Sequence, residues 1–213
     1  MRIPAPLRPL IAAAFAVALA AQPAAAHPHS WIDLKIGVLF DGTGKITGLQ
    51  EDWLFDEVYT TYILDSFAKG EALTPARFAA IAQKIMGNLK DYDNFTKAKT
   101  NGKPLALGGI AAPGAALRGH RFALTFTATF AHPVAPRGFA YEIYDPTYYI
   151  EMLHAEGKDP IRLVGAPAGC KPHIAKPTPS MDAIVRASSL DKTQTTDTGL
   201  GELFAEKVTI SCP

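Results

Sequence analysis

The sequence predicts an α+β fold, in which an antiparallel, hairpin-rich β-sheet carries two early helices on one face of a single domain. Every even-numbered residue from 122 to 130 is apolar, which is the period of a half-buried strand. Residues 56–67 and 75–89 carry apolar side chains at helical spacing instead. Asp41-Gly42 and Asn101-Gly102 separate strand-like segments, and such pairs favour antiparallel hairpins.

The first 26 residues have the three parts of a cleavable export signal. Arg2 and Arg8 give a positive start, residues 10–21 are apolar, and Ala24-Ala25-Ala26 offers small residues for cleavage. Cleavage would leave residues 27–213, which we expect to form one periplasmic domain. The apolar segment is shorter than the roughly 20 residues that span a bilayer. No later segment is long and apolar enough to do so, and we therefore predict no membrane insertion after cleavage.

In the first half of the domain, residues 30–40 and 45–54 predict a hairpin. A helix should follow near Asp56, because Asp56 and Glu57 place negative charge at the positive end of the helix dipole. Thr74-Pro75 predicts the start of the second helix, with threonine as the cap and proline in the first turn.

In the second half, alternation and turn residues predict several further short elements. Residues 108–119 are rich in Gly, Ala and Pro and are predicted to be a loop. The other predicted strands are 91–99, 121–130, 139–144, 148–152, 161–165 and 204–212, and a short helix is predicted at 180–190.

The charge balance gives no reason to expect nucleic acid as a partner. The whole chain has a formal charge of +1, and loss of Arg2 and Arg8 with the signal would change it to −1. A phosphate backbone or an anionic membrane surface is bound by an excess of basic residues, which this chain lacks.

Cys170 and Cys212 are the two cysteines of the chain. In an oxidising compartment such a pair usually forms a disulfide. The bridge would close a loop of about 43 residues, which is worth roughly 4 kcal/mol in the chain-entropy model. A redox or metal-binding thiol pair is the alternative, although the chain has no Cys-x-x-Cys motif.

His27-Pro28-His29 gathers nitrogen donors at the predicted mature terminus. The square-planar copper or nickel chelate of a third-position histidine needs an amide N–H at residue two, which Pro28 lacks. The amine and imidazole of His27 and the imidazole of His29 remain available. Two histidines and a carboxylate form a common zinc site and also suit copper. Asp56 and Asp145 are candidate carboxylates, and the alternative roles are a helix cap and a turn, with solvated histidines.

Enzyme motifs are missing from the sequence. It contains no Gly-x-Ser-x-Gly, no phosphate-binding glycine loop and no His-Glu-x-x-His. We therefore predict that the protein is not an enzyme.

Several segments together resemble a family of bacterial periplasmic proteins with an uncharacterised domain. The segments are His27-Pro28-His29, Trp53-Leu54-Phe55-Asp56-Glu57, Tyr144-Asp145-Pro146-Thr147-Tyr148-Tyr149 and Phe204-Ala205-Glu206-Lys207-Val208 with Cys212. Members of this family are often labelled periplasmic components of ABC-type transport systems. They tend to be encoded beside nickel/cobalt-type permeases, and they include the periplasmic zinc-binding partner of the Zev zinc-acquisition system.

The resemblance implies metal handling in the periplasm, in concert with an inner-membrane permease. Zn²⁺ is the expected metal, with copper or nickel possible, and His27, His29, Asp56 and Asp145 are the expected ligand positions. Two alternatives stay open. One is a copper protein that chelates the metal with the amine and imidazole of His27, and the other is a metal-free interaction module.

Overall fold

The computed structural model describes residues 28–157, 159–190 and 199–213, and it confirms the α+β class. In these ranges the two sheets and the helices α1 and α2 share one main hydrophobic core, whereas α3 packs in a smaller cluster with Tyr148 and Leu200. The helices are α1 (Glu57–Ile63), α2 (Pro75–Leu89) and α3 (Met181–Ser189). The strands are β1 (Ser30–Phe40), β2 (Ile46–Phe55), β3 (Thr96–Thr100), β4 (Lys103–Pro104), β5 (Leu107–Arg118), β6 (Arg121–Val134), β7 (Phe139–Ile143), β8 (Ile150–His154), β9 (Ile161–Val164), β10 (Lys171–Ala175) and β11 (Lys207–Ser211).

The larger sheet has the strand order β5-β6-β2-β1-β8, with β9 also paired to β1. The pairs among β5, β6, β2 and β1 are antiparallel, as predicted, whereas β8 and β9 run parallel to β1. The smaller sheet, in the order β10-β11-β7-β3-β4, is antiparallel throughout. The first strand of the domain therefore lies inside the larger sheet.

One face of the larger sheet carries most of the core. The apolar side chains predicted on β6 are all buried, from Phe122 to Phe130. Helix α2 covers part of this face, with the rings of Phe78 and Phe122 6.3 Å apart. The smaller sheet covers another part, since Phe130 and Phe139 lie 5.7 Å apart. This face therefore packs against helices at one end and against the second sheet at the other.

The predicted helix starts are confirmed by their capping bonds. The side chain of Asp56 accepts a hydrogen bond from the N–H of Tyr59 at the start of α1. The hydroxyl of Thr74 accepts one from the N–H of Arg77, with Pro75 as the first residue of α2. Each cap satisfies an N–H group that has no partner inside its helix.

Two predictions about the middle of the chain are wrong. Residues 108–119 are not a loop, since β5 pairs with β6 along most of its length. Hydrogen-bonded pairing with β6 outweighs the loop-like composition of this segment, and two register shifts in the pairing accommodate its glycines. The predicted strand 91–99 begins only at Thr96, because Lys90–Phe95 forms a 3₁₀-type turn.

The predicted disulfide between Cys170 and Cys212 is present. Lys171 and Ser211, the residues next to the two cysteines, face each other in the antiparallel pair of β10 and β11. Strand β10 was not predicted from the sequence. The bridge therefore fixes the last strand of the chain to its neighbour at the edge of the smaller sheet.

Candidate functional site

His29 lies where the chain enters the larger sheet, just before β1. Its backbone N–H donates to the carbonyl of Tyr149 at 2.9 Å, and the two rings lie 4.9 Å apart. The side chain is half-buried. His27, the other predicted histidine ligand, lies outside the described residues.

Asp56 connects the start of β1 to the start of α1. Its Oδ2 accepts hydrogen bonds from the hydroxyl of Ser30 and the N–H of Trp31, both at 2.8 Å, and its Oδ1 accepts the capping bond from Tyr59. Burial by itself would raise the pKa of Asp56, but these hydrogen bonds outweigh it and lower the pKa. The resulting carboxylate fixes the two residues that follow His29.

Asp145 is buried and shapes the turn that leads into β8. Its Oδ1 accepts from the N–H and the hydroxyl of Thr147, both at 2.9 Å, and its Oδ2 accepts from the N–H of Ile150 at 3.1 Å. These hydrogen bonds are those of a structural turn, which is the alternative role that the sequence allows for Asp145. The turn places Tyr149 against His29.

The structure brings these three predicted ligands to one end of the molecule, which we call the histidine end and define by His29, Asp56 and Asp145. Tyr59 lies among them. Burial raises its pKa to about 12, and the nearby hydroxyl groups and the carboxyls of Asp145 and Asp56 add to the shift. The three residues are 27 and 89 positions apart in sequence, and only the fold brings them close.

Hydrogen bonds occupy most of the carboxylate acceptor capacity at the histidine end. In each of Asp56 and Asp145 one oxygen accepts two hydrogen bonds and the other accepts one. A carboxylate has about four lone-pair sites, so each retains about one for a metal. Within the described residues no group of three or more His, Cys, Asp or Glu side chains could hold a metal ion. Further donors would have to come from outside the described residues, as His27 would, or from another molecule.

Glu51, in β2, carries a buried carboxyl group that was not predicted from the sequence. The side chain is fully buried, its Oε1 lies 2.8 Å from the hydroxyl of Thr96, and its Oε2 accepts from Trp53 Nε1 at 2.9 Å. Burial raises the pKa of Glu51 to about 8, against the lowering effect of those two bonds. The signal was available, because Glu51 occupies an inward position between Leu49 and Trp53 in an alternating strand.

A second buried group, also missed, joins β7, β8 and the residue before β11 through His154. Oε2 of Glu206 accepts hydrogen bonds from the backbone N–H and from Nδ1 of His154, both at 2.8 Å, and His154 Nε2 lies 3.0 Å from the hydroxyl of Tyr141. Burial would raise the pKa of Glu206, but the bonds from His154 outweigh it and lower the pKa. With the hydrogen on Nδ1, His154 accepts from Tyr141 at Nε2.

The Glu206–His154–Tyr141 group resembles a catalytic triad in its order of contacts but not in its access to solvent. Tyr141 is 1% exposed. Burial, and then the carboxyls of Glu51 and Glu206, raise the pKa of Tyr141 well above its ordinary value. A neutral, enclosed phenol has no route to a substrate, and the group therefore links the two sheets. The remaining described histidines, His120, His132 and His173, are exposed.

Comparison with known proteins places the chain in a family. Residues 12–212 match the family described as "Protein of unknown function (DUF1007)", and the chain belongs to that family. It is also similar to an uncharacterized protein of Haemophilus influenzae (strain ATCC 51907 / DSM 11121 / KW20 / Rd), at 28% identity over 192 residues, which cover 88% of this chain and 91% of that protein. No solved structure matches the chain.

The structure also bears on the compartment. The Cys170–Cys212 bridge is consistent with an oxidising, extracytoplasmic compartment. Among the helices in the described ranges, none combines the length and the apolar character needed to cross a membrane.

Proposed function

We propose that the protein is a periplasmic metal-binding accessory protein that holds Zn²⁺ and delivers it to an inner-membrane permease of the nickel/cobalt type. The observation that carries this proposal is the convergence of His29, Asp56 and Asp145 at the histidine end. The same end is where the chain continues toward His27. Imidazole nitrogen and carboxylate oxygen together are a common zinc donor set.

The donors at the histidine end suit transfer of a metal better than permanent storage. His27 and His29 would supply the nitrogen donors, and Asp56 or Asp145 would add the one acceptor position that its hydrogen bonds leave open. Structural zinc sites are closed by four protein ligands, whereas a site that keeps a position open can exchange its metal. The last position would be taken by water, or by a ligand of the permease during transfer.

The test is zinc affinity, measured by competition with a chromophoric chelator on the mature protein. We expect His27→Ala combined with His29→Ala to weaken zinc binding at least a hundredfold. The matched control combines His132→Ala with His173→Ala, two exposed histidines whose loss should leave the affinity unchanged. Unchanged affinity in the His27/His29 variant would refute this ligand assignment.

A second candidate function, a metal-free interaction module, is favoured by exposed apolar side chains beside the histidine end. Val58 is 79% exposed, Tyr62 58% and Trp31 49%. The carbonyl of Trp31 accepts from the N–H of Asp56, which joins Trp31 to the start of α1 where Val58 and Tyr62 lie. Protein exported in its own periplasm and purified without a tag distinguishes the two functions by elemental analysis. About one zinc per chain supports the accessory protein, and no metal supports the interaction module.

A further inference from the structure

A cavity of about 180 Å³ lies between the larger sheet and the helical segments α1 and α2. Among its lining residues, Trp53 is only 1% exposed, whereas Tyr62 and Asn88 are exposed. The cavity therefore extends from the surface to the core of the domain. Its other walls are aliphatic and aromatic. The mostly apolar lining, rather than the size, sets this opening apart on the surface of the described residues.

The helical wall of the cavity departs from regular α-helix. Residues Leu64–Ala68 form a π-helical turn, in which the N–H of Lys69 bonds to the carbonyl of Leu64. Phe67, in that turn, lines the cavity together with Ile63, the last residue of α1. Single π-helical turns are rare and occur frequently at functional sites.

The opposite wall depends on a strained backbone. Asp93, Asn94 and Phe95 have φ angles of +52°, +51° and +59°, a left-handed conformation that side chains other than glycine rarely adopt. Phe95 lines the cavity and stacks on Trp53 with ring centroids 6.2 Å apart. Consecutive strained residues persist where the surrounding structure requires them, often at ligand sites. Here the conformation places an aromatic ring beside Trp53.

We propose that this cavity is a binding site for a small molecule with one aromatic ring and one hydrogen-bonding group. An apolar cavity of about 150 Å³ is large enough to hold benzene, so the volume here accommodates one aromatic ring. The ring would contact Trp53 and Phe95, and the polar group would lie at the mouth. Tyr59 and Asn88, which also line the cavity, supply a hydroxyl and an amide.

The proposal is independent of metal binding. The cavity lining contains no histidine, cysteine, aspartate or glutamate. A ligand titration without metal therefore tests the cavity alone, and zinc titrations of the histidine variants test the proposed function alone.

The test is methyl NMR of the mature protein with labelled isoleucines, titrated with p-cresol in the absence of metal. Ile32, Ile63, Ile85 and Ile150 line the cavity, whereas Ile174 and Ile184 lie elsewhere. We expect saturable shifts at the four lining methyls, and none at the other two. Inositol, which is of similar size but polar throughout, should produce no shifts.

A pair of variants sharpens the test. Leu89→Phe adds volume to a lining residue and should weaken p-cresol binding at least tenfold, whereas Leu73→Phe, outside the cavity, should leave it unchanged. If Leu89→Phe fails to fold, the wild-type titration still decides. Shifts that do not saturate, that spread equally to Ile174 and Ile184, or that inositol reproduces would overturn the proposal.

Discussion

Glu51→Gln should remove most of the pH dependence of folding stability between about pH 5 and pH 7.5. Glu51 keeps its proton in the folded protein up to about pH 8, because burial disfavours the charged form. In the unfolded chain the same carboxyl ionises near its ordinary pKa of 4.5. Unfolding therefore releases a proton throughout this interval, and rising pH favours the unfolded state.

The size of the effect follows from the two pKa values. A raised folded-state pKa gives a contribution to stability that is complete below pH 4.5 and is lost as pH rises to about 8. The loss is about 1.4 kcal/mol for each pH unit, or about 3 kcal/mol from pH 5 to pH 7.5. A substituted glutamine stays neutral in both states and contributes no such slope.

The geometry around Glu51 favours a neutral side chain that can donate. Thr96 Oγ1 lies 2.8 Å from Glu51 Oε1 and 3.1 Å from the carbonyl of Asn94. The single hydroxyl hydrogen of Thr96 can form a good hydrogen bond with only one of these two acceptors. When Thr96 donates to the carbonyl of Asn94, protonated Glu51 can donate a hydrogen bond to the hydroxyl of Thr96. The other carboxyl oxygen of Glu51 then accepts from Trp53. A glutamine amide can form the same set of bonds.

The assay is urea unfolding with the disulfide intact, at pH 5 and at pH 7.5, for the wild type and Glu51→Gln. Other titrating groups contribute to both proteins, and the difference between the two pH dependences isolates residue 51. We expect the wild type to lose about 3 kcal/mol more than the variant over this interval. Equal pH dependence in the two proteins would refute a protonated, buried Glu51.

Three further predictions concern single contacts. Tyr141→Phe leaves His154 Nε2 without its donor in a buried place and should cost about 1–3 kcal/mol in urea unfolding; no loss would contradict the bond. Replacing both Cys170 and Cys212 by serine should lower the unfolding free energy by roughly 4 kcal/mol, and wild-type protein under reducing conditions should match that variant. Asp56→Ala removes a helix cap and two bonds to the start of β1; it should cost about 1–3 kcal/mol, with Asp65→Ala, on the exposed side of the next turn, as a near-neutral control.

Local sequence signals predicted much of the fold. The alternation in β6 identified its buried face, and Asp56 and Thr74 marked helix starts, because capping and alternation act between residues close in sequence. Strand β5 was missed since its conformation depends on pairing with β6, which composition does not report. The parallel pairing of β8 with β1 joins residues about 120 positions apart and was not predicted, whereas β5 and β6 are neighbours in the chain.

The candidate site was predicted in part, through resemblance and chemistry together. The sequence allows Asp56 and Asp145 to be either metal ligands or structural residues. In the structure each carboxylate accepts three hydrogen bonds that hold a turn or a helix start. Their proximity to His29 depends on the whole sheet. The inward position of Glu51 in β2 indicates its burial, but the hydrogen-bond partners of Glu51 and His154 are set by the fold and cannot be predicted from local spacing.

The position of β1 has a consequence for the order of events during synthesis. Strand β1 leaves the ribosome early, yet two of its partners are β8 and β9, and the N–H of His29 bonds to a carbonyl more than a hundred residues later in the chain. Contacts of such long sequence separation form slowly, after the chain that connects them is complete. Until residue 149 has emerged, the histidine end does not exist. Under the proposed function, metal binding at this end would therefore require the chain through residue 149 to be folded.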